Sequence, residues 1–276
     1  MAKNIGIIGF GNMGSAIAEQ LKADYQIAVF DKDKNKTENL KGINVALGIA
    51  ALIKQVDVVI LAVKPQDFDV VLNELKTIID GKLIISIAAG ISTAYIEKVL
   101  GKVKVIRVMP NLPVKVKEGM SCLCKGKFVD GEDLEFAEDL FKRVGKTLIV
   151  DNEDMMDDVT AISGSGPGFL CDLVEGKSLK DIKDFTEHTF IPSLTATATN
   201  LGFSPRQAKI LAEITGRGTV VYLEKEHLSP EEVKKQVTSK KGTTEAGLQE
   251  LKHDIKNLSA AVRAAWQRAK ELSREE

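Results

Sequence analysis

IGIIGFGNMG, residues 5 to 14, is the stretch that decides the fold of the first half of this chain. The strand-like IGII runs into a turn that contains Gly9, Gly11 and Gly14, and the helical pattern SAIAEQL follows at once. Such glycines permit a tight turn, let a backbone approach a pyrophosphate and let a helix pack on a strand, while the helix N-terminus favours negative charge. The motif, with Asn12 and Met13 between the glycines, predicts a dinucleotide-binding turn; a purely structural glycine turn is the alternative.

Short β-branched runs alternate with helical segments through the first half of the chain. The runs are IGIIGF, YQIAVFD, VDVVILAV, KLIISIAAG, KVKVIRVMP and TLIVD. Strands this continuously apolar are buried on both faces, which is typical of a parallel sheet covered by helices. We therefore expect residues 1–152 to form an α/β Rossmann domain with a doubly wound, mostly parallel sheet that binds NAD(P).

The second half carries helical signals instead. Ser204-Pro205-Arg206-Gln207 and Ser229-Pro230-Glu231-Glu232 each combine an N-cap serine, a proline at the first helical position and a side chain able to complete a capping box. We expect residues 153–276 to form an all-helical domain, with the boundary near the acidic stretch DNEDMMDD, residues 151 to 158.

Composition excludes several classes of protein. The 276 residues are 44% hydrophobic and carry a formal net charge of -1, which describes a globular protein with room for two cores. Without a basic excess, we expect small-molecule ligands and neither nucleic acid nor a membrane surface as a partner. No signal peptide or membrane span is evident, so a cytoplasmic location is expected. Three cysteines and three histidines lack metal-binding spacing, and we expect no disulfide and no metal.

The charge after the second predicted strand bears on which dinucleotide is bound. Asp31 ends that strand, where an acid can hold the ribose hydroxyls of adenosine and repel a 2′-phosphate, which favours NADH. The adjacent Lys32 and Lys34 could attract a 2′-phosphate and so favour NADPH. The sequence leaves the choice between NADPH and NADH open.

A second candidate site lies near the C-terminus in VTSKKGTTEAGL, residues 237 to 248. A Gly-Thr-Thr turn followed by Glu245 and small apolar residues is typical of a helix start, where unpaired backbone N–H groups favour an anion. A carboxylate or phosphate pocket and an ordinary surface cap are both compatible with this pattern.

Five motifs together resemble the pyrroline-5-carboxylate reductase family. LAVKPQ (61–66), SIAAGIS (86–92), VIRVMPNLP (105–113), VTAISGSGP (159–167) and VTSKKGTTEAGL occur in the family's order and approximate spacing, across nearly the whole chain. The resemblance implies a Rossmann domain followed by a helical dimerisation domain, with NAD(P)H reducing the ring C=N bond of pyrroline-5-carboxylate to give L-proline. It also implies a homodimer or higher homo-oligomer built through the helical half.

The resemblance assigns roles to individual residues. The anion site becomes a substrate site in which Ser239, Gly242 and Thr243 hold the carboxylate and Thr244, the expected catalytic residue, bonds the ring nitrogen. The resemblance also adds residues to the cofactor site that is formed by Gly9, Gly11, Asn12, Met13, Gly14 and Asp31. They are the strand-end segment Ala62, Val63, Lys64 and Pro65, and, at a second strand end, Met109 and Asn111.

Two departures from the family pattern are visible. Lys240 and Lys241 stand where the family has Pro and Gly, which changes the loop's charge and would strain lysine if position 241 requires a positive φ. An insertion near residues 171–188 follows SGSGP, and its SLKDIKDFTEH half is interpreted as an amphipathic surface helix; an extension of the dimer interface or a cover for the active site is the alternative.

The departures keep two other functions open. One is a reductase of the same architecture that acts on another small imino, keto or hydroxy acid. The other is a non-catalytic relative that binds the dinucleotide, with an altered SKKGTT loop that no longer handles pyrroline-5-carboxylate.

Overall fold

The computed structural model describes residues 3–274 and forms two compact units. The first unit comprises residues 3–108 and Leu123–Val144, and the second comprises Met109–Cys122 and residues 145–274. The short segment Met109–Cys122 therefore belongs with the helical half of the protein.

Eight strands form one sheet in the order β3-β2-β1-β4-β5-β6-β7-β8. They are β1 Ile5–Ile8, β2 Ile27–Phe30, β3 Asn44–Val45, β4 Val58–Leu61, β5 Leu83–Ser86, β6 Lys104–Pro110, β7 Gly119–Lys125 and β8 Gly145–Ile149. The five pairs that join β1 to β6 are parallel, with Ile5 opposite both Ile27 and Val58. Every residue of β1, β4 and β5 is buried, as expected for a sheet covered on both faces. The predicted fold class is confirmed.

The strand order reverses direction between β1 and β4, which are neighbours in the sheet. This is the order of a dinucleotide-binding fold, in which ligands bind beyond the carboxyl ends of the strands at the reversal. The helices of the first unit are α1 Asn12–Leu21, α2 Ile49–Ile53, α3 Phe68–Leu75, α4 Thr93–Leu100 and α5 Gly131–Lys142. The sheet therefore presents a ligand-binding edge where β1 runs into α1.

The second unit is mainly helical. Its helices are α6 Met155–Val159, α7 Gly166–Leu173, α8 Leu179–Phe185, α9 Ile191–Asn200, α10 Pro205–Glu226, α11 Pro230–Val237, α12 Thr243–Leu251 and α13 Leu258–Arg274. Both predicted capping boxes are present, at Ser204 with Gln207 and at Ser229 with Glu232. The predicted helix of the insertion is α8, in which Ile182 is buried. No helix within residues 3–274 is long and apolar enough to span a membrane.

Two segments of this unit have π-helical geometry, Thr160–Gly164 and Thr186–Phe190. The N–H of Ser165 donates to the carbonyl oxygen of Thr160 at 2.9 Å, and the N–H of Ile191 donates to that of Thr186. Each bond spans five residues, so each segment holds one residue more than an α-helical turn. The first π turn includes the first two residues of the SGSGP motif, Ser163 and Gly164.

Candidate functional site

The glycine turn after β1 lies directly beside the end of β4. Gly9 has a φ of 98°, and a Cβ there would lie 2.6 Å from the carbonyl oxygen of Ala62. A Cβ on Gly14 would collide with the carbonyl oxygen of Gly9. The N–H of Ala62 donates to the carbonyl oxygen of Ile8 at 2.8 Å. Gly9 and Gly14 are therefore required by the packing of the turn itself.

Gly11 differs from the other two glycines. Its φ is -81°, and a Cβ added to it would meet no atom within 4 Å. Nothing in the turn thus requires glycine at this position, whereas a ligand that lies against the backbone would require it. Gly11 is also the N-cap of α1 and offers no side-chain acceptor, so the first N–H groups of the helix, at Asn12 and Met13, keep their capacity for an anion. These features fit a pyrophosphate.

Asp31 lies next to this turn, with its side chain only 7% exposed. One carboxylate oxygen accepts from the N–H of Phe10 at 2.6 Å, and the other accepts from the N–H of Asp33 at 2.8 Å. Lys36 lies 3.4 Å away and was not identified from the sequence. Burial alone would raise the pKa of Asp31, but the two N–H donors and Lys36 lower it below the ordinary value. The carboxylate therefore stays charged beside the turn.

The lysines that could favour a 2′-phosphate are arranged differently from the sequence expectation. Lys32 forms a 2.6 Å ion pair with Asp67. Lys36 reaches Asp31, although it lies five residues further along the chain. Lys32 is therefore partly neutralised, and the cation nearest to the carboxylate is Lys36.

The segment after β4 completes this side of the candidate site. Ala62 abuts Gly9, Val63 packs against the core, and Lys64 precedes a 3₁₀ turn that spans Pro65–Asp67. The first unit thus brings together the glycine turn, Asp31 and the start of the 62–65 segment at the carboxyl ends of neighbouring strands.

In the second unit, the loop before α12 forms a tight turn. The N–H of Gly242 donates to the carbonyl oxygen of Ser239 at 2.9 Å, and Lys241 between them has a φ of 59°. The N–H of Lys241 donates to Glu245 at 2.6 Å, and Arg268 donates to its carbonyl oxygen at 2.9 Å. The positive φ considered from the sequence is therefore present, and lysine occupies it.

The N-terminus of α12 has no side-chain cap. Gly242 is its N-cap, and a Cβ there would collide with the Ser239 hydroxyl. By contrast, Ser204 and Ser229 cap the N-termini of α10 and α11 with their own oxygens. The N–H groups of Thr243 and Thr244 thus retain their capacity to bind an anion.

Thr244 is 4% exposed, and Ser165, at the start of α7, is fully buried. The Thr244 hydroxyl donates to Ser165 Oγ at 3.2 Å, and the Thr243 hydroxyl lies 3.2 Å from the same oxygen. Sequence reasoning missed this role of Ser165, although the SGSGP motif that contains it was noted. The residues come together across 79 positions of sequence.

Met109 and Asn111 belong to the second unit, together with the SGSGP segment. Asn111 is buried, and its amide nitrogen donates to the carbonyl oxygen and the hydroxyl of Ser163, both at 3.3 Å. Its amide oxygen accepts from the N–H of Met120 at 2.8 Å. The Asn111 side chain therefore ties the end of β6 to the π turn and to β7.

Two family models match the chain. One, described as NADP oxidoreductase, coenzyme F420-dependent, covers residues 4–90, and one described as pyrroline-5-carboxylate reductase dimerisation covers residues 188–275. The second match begins at the end of the predicted insertion.

Individual proteins match over nearly the full length. A pyrroline-5-carboxylate reductase of Methanosarcina acetivorans is 34% identical, and the match covers 99% of this chain and 97% of that protein. A solved pyrroline-5-carboxylate reductase from Coxiella burnetii is 32% identical over 99% of both chains, with a TM-score of 0.65. The Plasmodium falciparum pyrroline carboxylate reductase, solved with NADP bound, is 27% identical over 98% of both chains, with a TM-score of 0.64. At this identity and coverage, the chain belongs to the pyrroline-5-carboxylate reductase family.

Proposed function

We propose that this protein reduces the C=N bond of 1-pyrroline-5-carboxylate to give L-proline, with NAD(P)H as the reductant. The observation that carries the proposal is the N-terminus of α12, where unfilled backbone donors adjoin the buried hydroxyl of Thr244. A small substrate with a carboxylate and a ring nitrogen matches that pair of features. In this proposal, residues 1–152 bind the dinucleotide, and residues 153–276 bind the substrate and form the dimer.

The residues present in the first unit fit the cofactor. Gly9, Gly11 and Gly14 with the N–H groups of Asn12 and Met13 would hold the pyrophosphate, and Asp31 would hold the adenosine ribose. The segment Ala62, Val63, Lys64 and Pro65 of this unit would lie against the nicotinamide half; Met109 and Asn111, which belong to the second unit, are assigned to the cofactor by the family resemblance alone. When bound, NAD(P)H supplies a hydride. The open space over Gly11 supports this assignment, because an alanine there would meet no part of the chain.

The α12 loop would hold the substrate carboxylate. The N–H groups of Thr243 and Thr244 and the hydroxyl of Ser239 would donate to it, and the helix dipole adds attraction. Gly242 gives the carboxylate access to the backbone. Glu245 opposes an anion, but it already accepts from the N–H of Lys241, and the exposed Lys240 and Lys241 offset its charge.

Thr244 would orient the reacting bond through the ring nitrogen. Its hydroxyl is buried beside the helix N-terminus, where a ligand's carboxylate and nitrogen can be bound at once. Fixing both groups holds the imine carbon in one place, which is the main contribution a protein makes to hydride transfer.

The reaction is tested by mixing purified protein, 1-pyrroline-5-carboxylate and NADH or NADPH and following the loss of nicotinamide absorbance. Thr244→Val keeps the volume of the side chain and removes the hydroxyl. We expect kcat/KM to fall by about tenfold to a thousandfold, the range for losing one well-placed hydrogen-bonding group. Dinucleotide affinity should stay unchanged, which separates substrate handling from cofactor binding.

The two alternatives give other results. A protein that binds NAD(P)H but turns over no pyrroline-5-carboxylate is a non-catalytic relative or a reductase of another acid, and turnover of a more anionic imine would identify the latter. An unchanged kcat/KM for Thr244→Val would show that this loop does not bind the imine.

A further inference from the structure

Ser165 accepts a hydrogen bond from the Thr244 hydroxyl, the group that the proposed reaction uses. It is fully buried at the end of the first π turn, and its Oγ accepts the hydrogen of Thr244 at 3.2 Å. A hydroxyl has one hydrogen and two lone pairs. Once its hydrogen is directed to Ser165, Thr244 has only lone pairs to offer a ligand.

Gly168, one helical turn after Ser165, fixes the other half of the Thr244 side chain. A Cβ on Gly168 would lie 2.6 Å from the Thr244 methyl group, so that methyl occupies the space a side chain would fill. The methyl group of Thr244 contacts Gly168 and its hydroxyl contacts Ser165, so both ends of the side chain are held. The two contacts therefore fix the direction of the lone pairs on the Thr244 oxygen.

We propose that Ser165 is a positioning residue, which takes the Thr244 hydrogen so that Thr244 accepts from the ring N–H of a protonated, iminium substrate. This inference rests on the proposed function and adds the form of the substrate that the site takes. Ser165 itself touches no reacting atom in this scheme.

The chemistry balances without a general acid. Hydride from NAD(P)H forms a C–H bond at the imine carbon, and the π electron pair of the C=N bond moves to nitrogen as a lone pair. The nitrogen keeps the proton it brought, and the neutral amine then takes a second proton from water. The nicotinamide is oxidised and the iminium is reduced. Thr244 stabilises the N–H throughout and loses no proton.

Several charged groups around Ser165 and Thr244 have partners of their own. On α7, Asp172 binds Lys234 of α11 at 3.0 Å and His253 at 3.2 Å. Glu245 of α12 accepts from the N–H of Lys241, and Arg268 of α13 donates to the Lys241 carbonyl. Other titratable groups on the elements packed here, α6 and α10 included, are Asp154, Asp157, Asp158, Cys171, Glu175, Arg206, Lys209, Glu213, Arg217, Tyr222, Glu224, Lys225, Glu226, Glu231, Glu232, Lys235, Glu250, Lys256, Arg263, Lys270 and Glu271. Both alanine variants keep all of these groups, so a difference in pH dependence between the two variants reports on Ser165 and the substrate.

The experiment compares Ser165→Ala with Ser163→Ala across pH. Ser163 is a matched control because it is buried in the same segment, where its hydroxyl accepts from Thr215 at 3.2 Å and from Asn111. In the wild type, kcat/KM should fall as pH rises through the titration of the imine. In Ser165→Ala, the Thr244 hydroxyl is free to give its proton to the nitrogen of a neutral imine as the hydride arrives and to regain a proton from water, so the alkaline fall should move to higher pH while the acidic plateau drops about tenfold.

Binding gives a readout that does not depend on turnover. L-Proline carries N–H donors, and calorimetry should show its affinity reduced about tenfold in Ser165→Ala and nearly unchanged in Ser163→Ala. Ser165→Cys, which keeps an atom at the Oγ position but accepts weakly, should fall between wild type and Ser165→Ala. This second variant also serves if the alanine variant folds poorly.

Two failures are distinguishable. Turnover of pyrroline-5-carboxylate with the same pH profile and proline affinity in both alanine variants overturns the role of Ser165 alone. Absence of any wild-type turnover overturns the proposed function and this inference with it.

Discussion

Replacing Lys241 with glycine should stabilise the protein. Lys241 has a φ of 59°, in the left-handed region that costs a non-glycine residue roughly 1–2 kcal/mol. Its bonds to Glu245 and Arg268 are made by its backbone N–H and carbonyl oxygen, so glycine can keep both. Glycine costs about 0.5–1 kcal/mol more to order than other residues, which leaves a net gain of about 0 to 1.5 kcal/mol, with a middle value of about 0.8 kcal/mol.

The assay is urea unfolding of wild type, Lys241→Gly, Lys241→Ala and Lys240→Gly. Alanine keeps the left-handed strain, so Lys241→Ala should gain nothing. Lys240 is absent from the residues with positive φ, and glycine there should destabilise by about 0.5–1 kcal/mol through its entropy alone. The urea midpoint should therefore rise for Lys241→Gly and for no other variant in the set.

The activity of the same variant tests whether the lysine serves a function. If Lys241 only occupies a strained turn position, Lys241→Gly should reduce pyrroline-5-carboxylate at least as fast as wild type. A Lys241→Gly protein that is less stable than wild type, or no more stable than Lys241→Ala, would refute the reasoning from φ.

Three further predictions concern other parts of the protein. NADH should be accepted at least as well as NADPH because Asp31 stays charged, and Asp31→Ala should lower kcat/KM for NADH by about tenfold, a cost of about 1.4 kcal/mol; a wild-type preference for NADPH of tenfold or more would contradict this. Burial raises the pKa of Asp158 to about 6; the charge of Lys270 opposes this rise and the charge of Asp157 adds to it. Between about pH 4 and pH 6 the folded state therefore binds one proton more than the unfolded state, and the free energy of unfolding falls as pH rises through this range. Asp158→Asn should raise the free energy of unfolding by about 1 kcal/mol near pH 8 and leave it unchanged below pH 4. Urea unfolding at the two pH values tests this. Light scattering should give a homodimer, twice the 30.0 kDa chain, and a fully active monomer would rule out assembly through the helical half.

The strands and helix starts could be predicted because their signals are local. All six predicted apolar runs contain strands, and the serine caps at Ser204 and Ser229 form as their four-residue patterns require. The two-residue strand β3 carries no such pattern, since Asn44 and Val45 are both exposed. Its pairing with β2 is set by the sheet and not by its own residues.

The partners of the candidate site could not be predicted because they are distant in sequence. Asp31 was expected to meet a ribose, but its binding by the N–H of Phe10 depends on how β1 and β2 align. Ser165 and Thr244 are each recognisable in a motif, yet their contact depends on how α7 packs against α12. The sequence shows only that lysine is strained if position 241 has a positive φ, because the identity of a residue does not determine its φ.

The two π turns bear on how a gene for this protein can change length. A π turn is an α-helical turn with one residue added, so deleting a single codon within Thr186–Phe190 could restore an ordinary helix and leave the remaining backbone bonds intact. The same deletion within Thr160–Gly164 would also restore an ordinary turn, but it would remove the geometry that places Ser163 and Ser165 against Thr215 and Thr244. Loss of a single codon should therefore be tolerated in Thr186–Phe190 and selected against in Thr160–Gly164. In a library of in-frame deletions, variants of the later turn should survive selection more often than variants of the earlier one.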